Sequence, residues 1–368
     1  MSEAAPGHLP AAARPGLDDR AGHWRPNPRR GWALAALAVA ALLAAGLLGV
    51  VIGSVAIPPL AVVTLLLERL AGLPAATTYP AAYATILFEI RLPRVTLMAL
   101  TGAALAAAGG SYQGLFRNPL ADPYLVGVAA GAGLGATLAI VFNLTNSFLG
   151  LGAVPVAAFG GALLTVGLVM LSAQVGRTMP VSTTLLAGVA IGSFASAITT
   201  LIMLRSPDGL RRSFNWLLGG YAGGGWEPVL IVIPYLVVGL AALQFNARAL
   251  NVLQLDEDEA RQLGINVGRV KLIVVVAATL MTATVVAFGG LIGFVGLVVP
   301  HSVRLLGGPD YRRLIPLSAI GGAAFLILAD LVARTLVAPQ ELPVGVVTAL
   351  AGAPFFVFLL RRLKRSVF

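Results

Sequence analysis

Uncharged apolar runs of about 20 residues recur along the chain, the length an α-helix needs to cross a hydrocarbon layer about 30 Å thick. They occupy residues 32–53, 93–113, 124–143, 151–173, 183–203, 229–245, 314–333 and 343–361. The stretch from Lys271 to Arg304 is too long for one such helix and short for two. Its middle reads AFGGLIGFVG, and Gly289, Gly290, Gly293 and Gly296 predict a break there, with a short second helix beyond it. Together these make ten predicted spans. Residues 54–70, SVAIPPLAVVTLLLERL, hold an apolar run too short to cross and open on Pro58 and Pro59, so they are expected to lie outside the spans.

Composition sharpens this into an all-α integral membrane protein. Of 368 residues, 58% are hydrophobic and 11% charged, against about 25% charged in a soluble domain. The 43 glycines and 23 prolines demand closely packed helices, with any break buried or lining a cavity, which suits a transport pathway. Cysteine is absent, so disulfides, thiol catalysis and thiolate metal sites are excluded. Residues 1–31 are rich in Pro, Ala and Arg, lack an apolar core, and read as a disordered cytoplasmic tail and not a signal peptide.

The net charge of +10 follows from the loop bias that orients membrane proteins, and no nucleic-acid partner is expected. With ten spans and a cytoplasmic N-terminus, 18 Lys and Arg fall inside and seven outside, so both termini are predicted to be cytoplasmic. Arg91 and Arg94, in the stretch EIRLPRVTLMALTG, fall outside and oppose the bias. They either snorkel at the interface or serve a function. Asp330 lies four residues before Arg334, the spacing of a local helical ion pair. His301 follows Pro300 near Arg304 and reads as a capping or interfacial residue.

Several chemistries find no residues to carry them. Acids and histidines sit almost entirely in loops or at span ends, where a gradient-driven secondary transporter would keep them within its spans. There is no GxxxxGK[ST] loop, so ATP, if it drives this chain, binds elsewhere. No polar cluster suits a membrane enzyme or a metal centre, and no catalytic or metal-ligating residue is assigned. The loop NARALNVLQLDEDEARQLGINVGRVK, residues 246–271, contains a short helix signature: Asp256 as cap, Glu257, Asp258 and Glu259 at its positive end, and Gly264 as its stop. Ala260 and Leu263 would give it a small apolar surface suited to a partner's groove, unless it is an isolated loop helix that docks nothing.

Several segments in order resemble the FecCD family of ABC importer permeases: RLPR at 91–94, GLFRNPLADPYLVGVAAGAGLGA at 114–136, TTLLAGVAIG at 183–192, NWLLGGYAGGGWE at 215–227, DEDEARQLGINVGRVK at 256–271, GGLIGFVGLVVPHSVRLLGGPDYRRLIPLSA at 289–319 and DLVARTLVAPQELPVGVVTALAGAPFFVFLL at 330–360. The resemblance implies a type II ABC importer permease fold in a lipid membrane, with about ten transmembrane helices per subunit. It also implies a homodimer with the pathway on its two-fold axis, two cytoplasmic ATPases carrying ATP and magnesium, and an extracytoplasmic protein that delivers a metal chelate. This chain itself would bind no cofactor. Ferric siderophore is favoured as cargo on family prevalence, with cobalamin and haem close behind. Arg91, Arg94 and Arg334 look like outward-facing sockets for acidic side chains of the binding protein. Glu257, Glu259, Ala260, Arg261, Leu263 and Gly264 look like the contact set of a coupling helix on the ATPase. Asn118, Leu120 and Ser182 resemble positions that narrow the cytoplasmic end of the pathway.

Overall fold

The computed structural model describes residues 28–53, 55–72, 79–144, 152–174, 180–221 and 225–364, so the expected tail lies outside it up to residue 27. Among these residues all regular structure is helical. In chain order the helices are α1 (Pro28–Val51), α2 (Pro59–Ala71), α3 (Ala81–Thr85), a π-helical turn (Ile86–Arg91), α4 (Leu92–Leu115), a 3-10 turn (Pro123–Val126), α5 (Val128–Val141), α6 (Ala153–Ala173), α7 (Val181–Met203), α8 (Pro207–Leu217), α9 (Glu227–Phe245), α10 (Ala247–Val252), α11 (Glu257–Gln262), α12 (Val267–Gly289), α13 (Val295–Gly307), α14 (Tyr311–Thr335) and α15 (Val344–Lys364).

Seven helical runs among the described residues are long and apolar enough to cross a membrane: α1 from Gly31, the continuous run Ala81–Leu115, α6, α7, α9, α12 and α14. Shorter apolar helices, α5, α13 and α15 as far as Phe358, stand at the remaining predicted positions. The glycine-rich break falls where it was expected. α12 ends at Gly289, Gly290 and Phe294 take positive φ of 65° and 68°, and α13 starts at Val295. The span expected to open at residue 93 instead starts twelve residues earlier, at Ala81. Pro93 lacks an N–H and crowds the preceding turn, and the π-helical turn directly before it widens the helix so that the run continues through the proline. Residues 59–71 form α2, which starts on a proline, buries Ala61, Val62 and Leu65, and leaves Leu60, Val63 and Leu67 exposed. α8 has no counterpart among the predicted elements; Ser206 caps it by accepting from the Gly209 N–H at 3.1 Å.

α4 is the axis of the bundle. It buries most of its length and packs most extensively on α14, with α12, α13 and α9 completing the shell. An apolar solvent supplies no hydrophobic drive between helices, so close packing of small residues replaces it. The crossing of α4 and α14 is made at Gly102 and Gly322, where a methyl group on either would collide with the other's carbonyl. α5 meets α6 in the same way at Gly131 and Gly161. Gly102→Ala should therefore destabilise the protein by about 1–3 kcal/mol through overpacking. Gly46→Ala, in the same bundle but with open space around the new methyl, should leave the thermal midpoint in detergent unchanged.

Candidate functional site

Polar side chains gather at the two ends of this bundle. At one end stand the three arginines singled out in the sequence. They are buried, with exposures of 5% for Arg91 and 9% each for Arg94 and Arg334. Arg91, the last residue of the π-helical turn, donates to the carbonyls of Val50 at 2.8 Å and Val51 at 2.9 Å, and to that of Val55. Arg334 donates to Gly49 O at 2.9 Å and Ile52 O at 3.4 Å. Both satisfy carbonyls that the end of α1 leaves without helical partners.

Arg94 lies in the first turn of α4 and Asp330 near the end of α14. The Arg94 Nε and Nη2 donate to Asp330 at 3.1 and 2.8 Å, and its Nη1 donates to Glu341 at 2.9 Å. Its guanidinium also lies over the Tyr221 ring, 5.4 Å from the centroid. The expected pair of Asp330 and Arg334 is present at 3.1 Å, but it forms one side of a cluster whose other side comes from 236 residues away. The arginines thus neither snorkel nor stand as open sockets in this conformation. Arg94 and Arg334 point inward because Asp330, 1% exposed, must be neutralised where it lies, and Arg91 turns to the carbonyls at the end of α1. Glu341 is the exposed member of the cluster, with 53% of its side chain accessible, and sequence reasoning missed it.

At the opposite end, the 246–271 loop folds as its signature predicts. Asp256 caps α11 by accepting from the Glu257 N–H at 2.8 Å, and Gly264 ends the turn with φ of 81°. That hydrogen bond and the nearby Arg117 and Arg261 charges hold the Asp256 carboxyl below the usual carboxylate range. The helix is strapped down at three points. Lys271 of α12 donates to Glu257 at 2.6 Å, Arg117 to Asp256 at 3.0 Å, and Gln254 to Gly114 O at 2.9 Å. Ala260 is fully buried, whereas Glu259, Arg261, Leu263 and Gly264 are exposed. The apolar surface expected from Ala260 and Leu263 together is therefore divided: Ala260 and Glu257 share the face turned to this chain, and Leu263 is left for a partner.

The FecCD transport family model matches residues 41–362, nearly the whole described bundle. The chain belongs to the FecCD transport family. It is 45% identical to the cobalamin import system permease BtuC of Halobacterium salinarum, over 77% of this chain and 75% of that protein. It is 42% identical to the hemin transport system permease HmuU of Yersinia pestis, over 76% of this chain and 84% of that protein. Among solved structures, it superposes with a TM-score of 0.77 and 29% identity on an inward-facing conformation of a metal-chelate type ABC transporter, covering 91% of this chain and 99% of that one. As an FecCD protein with several membrane-crossing helices, it is a multi-pass membrane permease.

The remaining residues singled out in this FecCD chain lie at the α11 end. Asn118 and Leu120 share one turn, in which the Asn118 Oδ1 accepts from the Leu120 N–H at 2.9 Å, and Leu120 is exposed. Ser182 is exposed on the first turn of α7, whose neighbours Thr183 and Thr184 donate to Pro180 O at 2.9 Å. No hydrogen bond among the described residues joins Ser182 to Asn118 or Leu120. His301 does not cap: it lies inside α13, and neither ring nitrogen has a hydrogen-bond partner among the described residues. Asp310, unremarked in the sequence, caps α14 and also accepts from Asn251 at 2.7 Å and Arg312 at 2.9 Å. Burial raises its pKa, but the hydrogen bonds from Arg312 and Asn251 and the Arg312 charge outweigh that and bring it down to about 2.

Asp330→Asn should cost about 3–5 kcal/mol, because it leaves Arg94 and Arg334 buried without their shared counter-charge. The thermal midpoint in detergent measures this, and a midpoint equal to that of the parent protein would make the cluster dispensable. The Asp310 carboxyl is more acidic folded than unfolded, so its contribution is full above about pH 4. It should fade as the pH falls from there toward about 2. A pH series of denaturation midpoints should show that loss in the parent and less of it in Asp310→Asn.

Proposed function

We propose that this chain is the membrane-spanning subunit of an ATP-driven importer, carrying a metal chelate delivered by an extracytoplasmic binding protein. The observation that carries the reading is the construction of the α11 end. A capped, acidic, six-residue helix is strapped to the start of α12 and the end of α4, and presents Leu263, Glu259 and Arg261 to whatever lies beyond. The sequence holds no phosphate-binding loop, so ATP and magnesium belong to a separate ATPase, two copies of which serve a homodimer of this chain with both termini cytoplasmic. The residues of α11 form the docking set, and Asn118, Leu120 and Ser182 narrow the nearby mouth of the pathway.

At the other end, the binding protein docks over Arg91, Arg94 and Arg334. Their inward geometry adds a condition: an acidic side chain of the binding protein reaches Arg94 only by displacing Glu341. For cargo, the cobalamin and hemin permeases among the relatives favour a corrin or porphyrin chelate over the ferric siderophore preferred on family prevalence alone. A secondary transporter would need a free acid within the spans, and Asp330, the buried acid among the described residues, is matched by two guanidiniums.

The test is ATP hydrolysis by the permease co-purified with its ATPase in liposomes, before and after adding its binding protein loaded in turn with cobalamin, haem or ferric siderophore. Stimulated hydrolysis with lumenal accumulation of one ligand is expected. Leu263→Asp should detach the ATPase, and if no ATPase co-purifies with the parent protein the importer reading fails.

A further inference from the structure

Between α9 and α12 lies a groove of about 570 Å³ whose walls are almost wholly apolar, with Pro234, Tyr235, Val238 and Ala242 on one side and Leu272 and Val276 on the other. It lies in the half of the bundle nearer the 246–271 loop. From Leu272 to Leu280, and from Pro234 to Ala242, each wall advances about 12 Å, close to the roughly 15 Å of one hydrocarbon leaflet. A membrane-crossing helix of a second copy would need a surface running the full thickness, and this groove stops halfway.

The mouth is polar on one side and aromatic on the other. Arg269 precedes Leu272 by three residues and Val276 by seven, so it continues the lining face of α12 by one turn toward the loop. It is exposed, and among the described residues no ion pair engages its guanidinium. The neighbouring Lys271 is held by Glu257. Phe245 continues the α9 wall by three residues and is 86% exposed, the position of an interfacial aromatic.

We infer that this groove binds one acyl chain of an anionic phospholipid, with Arg269 holding the headgroup phosphate. One-leaflet length, apolar walls and an exposed arginine at the mouth with no ion pair among the described residues match that molecule, and basic residues beside clefts between membrane helices are suited to anionic headgroups. The inference rests only on the chain's membrane placement and not on its cargo or its ATPase, so a failure of the importer reading leaves it standing.

Native mass spectrometry of the purified permease with added phosphatidylglycerol or phosphatidylcholine tests it. Phosphatidylglycerol should be retained preferentially. Arg269→Glu should lower its retention about fivefold, Arg269→Lys should keep most of it, and Val276→Trp, which fills the groove from an exposed position, should lower it as well. Equal phosphatidylglycerol on the parent and Arg269→Glu would overturn the site, as would undiminished retention by Val276→Trp. The chain has no cysteine of its own, so a disulfide-linked dimer of Val276→Cys in membranes would assign the groove to a second copy and also overturn it.

Discussion

Asp330 carries a negative charge into the interior of an apolar bundle, where an unmatched ion is several kcal/mol too costly to persist. Its match comes from two directions. Arg334 reaches it from the next turn of α14, and Arg94 reaches it from the first turn of α4. The remaining N–H groups of Arg334, with those of Arg91, hold the carbonyls at the end of α1. A few charges therefore tie together three helices far apart in the chain, two of which, α4 and α14, also meet at the Gly102–Gly322 contact.

α4 begins in this cluster and ends against the loop that carries α11. At its far end Gly114 accepts from Gln254, and Arg117, in the turn that follows, holds Asp256. Its interior is closely packed, and such packing moves as a body and does not deform gradually. In the importer reading, the face that meets a binding protein and the face that meets an ATPase are thus two ends of one helix. In that reading the exposed Glu341 on Arg94 and the exposed Leu263 beyond α11 are the points each partner would meet.

The local features were legible because each obeys a rule acting over a few residues. The apolar runs, the glycine break before α13, the Asp256 cap and the Gly264 stop all appear where expected. Misplacements arose where distant contacts decide. α8 is capped like any short helix, but its apolar residues do not make a run long enough to read. The apolar run read from residue 93 is only part of its helix, which the π-helical turn carries back to Ala81. Ala260 and Leu263 looked like one surface until burial turned Ala260 inward.

The sequence by itself determined the membrane character, the order and approximate limits of the apolar helices, and the capped acidic helix in the loop, because hydrophobicity, capping and glycine chemistry are local. Only the tertiary structure decided what the arginines do. The partner of Arg94 lies 236 residues away, and no local pattern encodes that approach. A charge at the edge of an apolar run looks the same in sequence whether it faces solvent, lipid or a buried carboxylate, and the packing of α1, α4 and α14 selects the carboxylate.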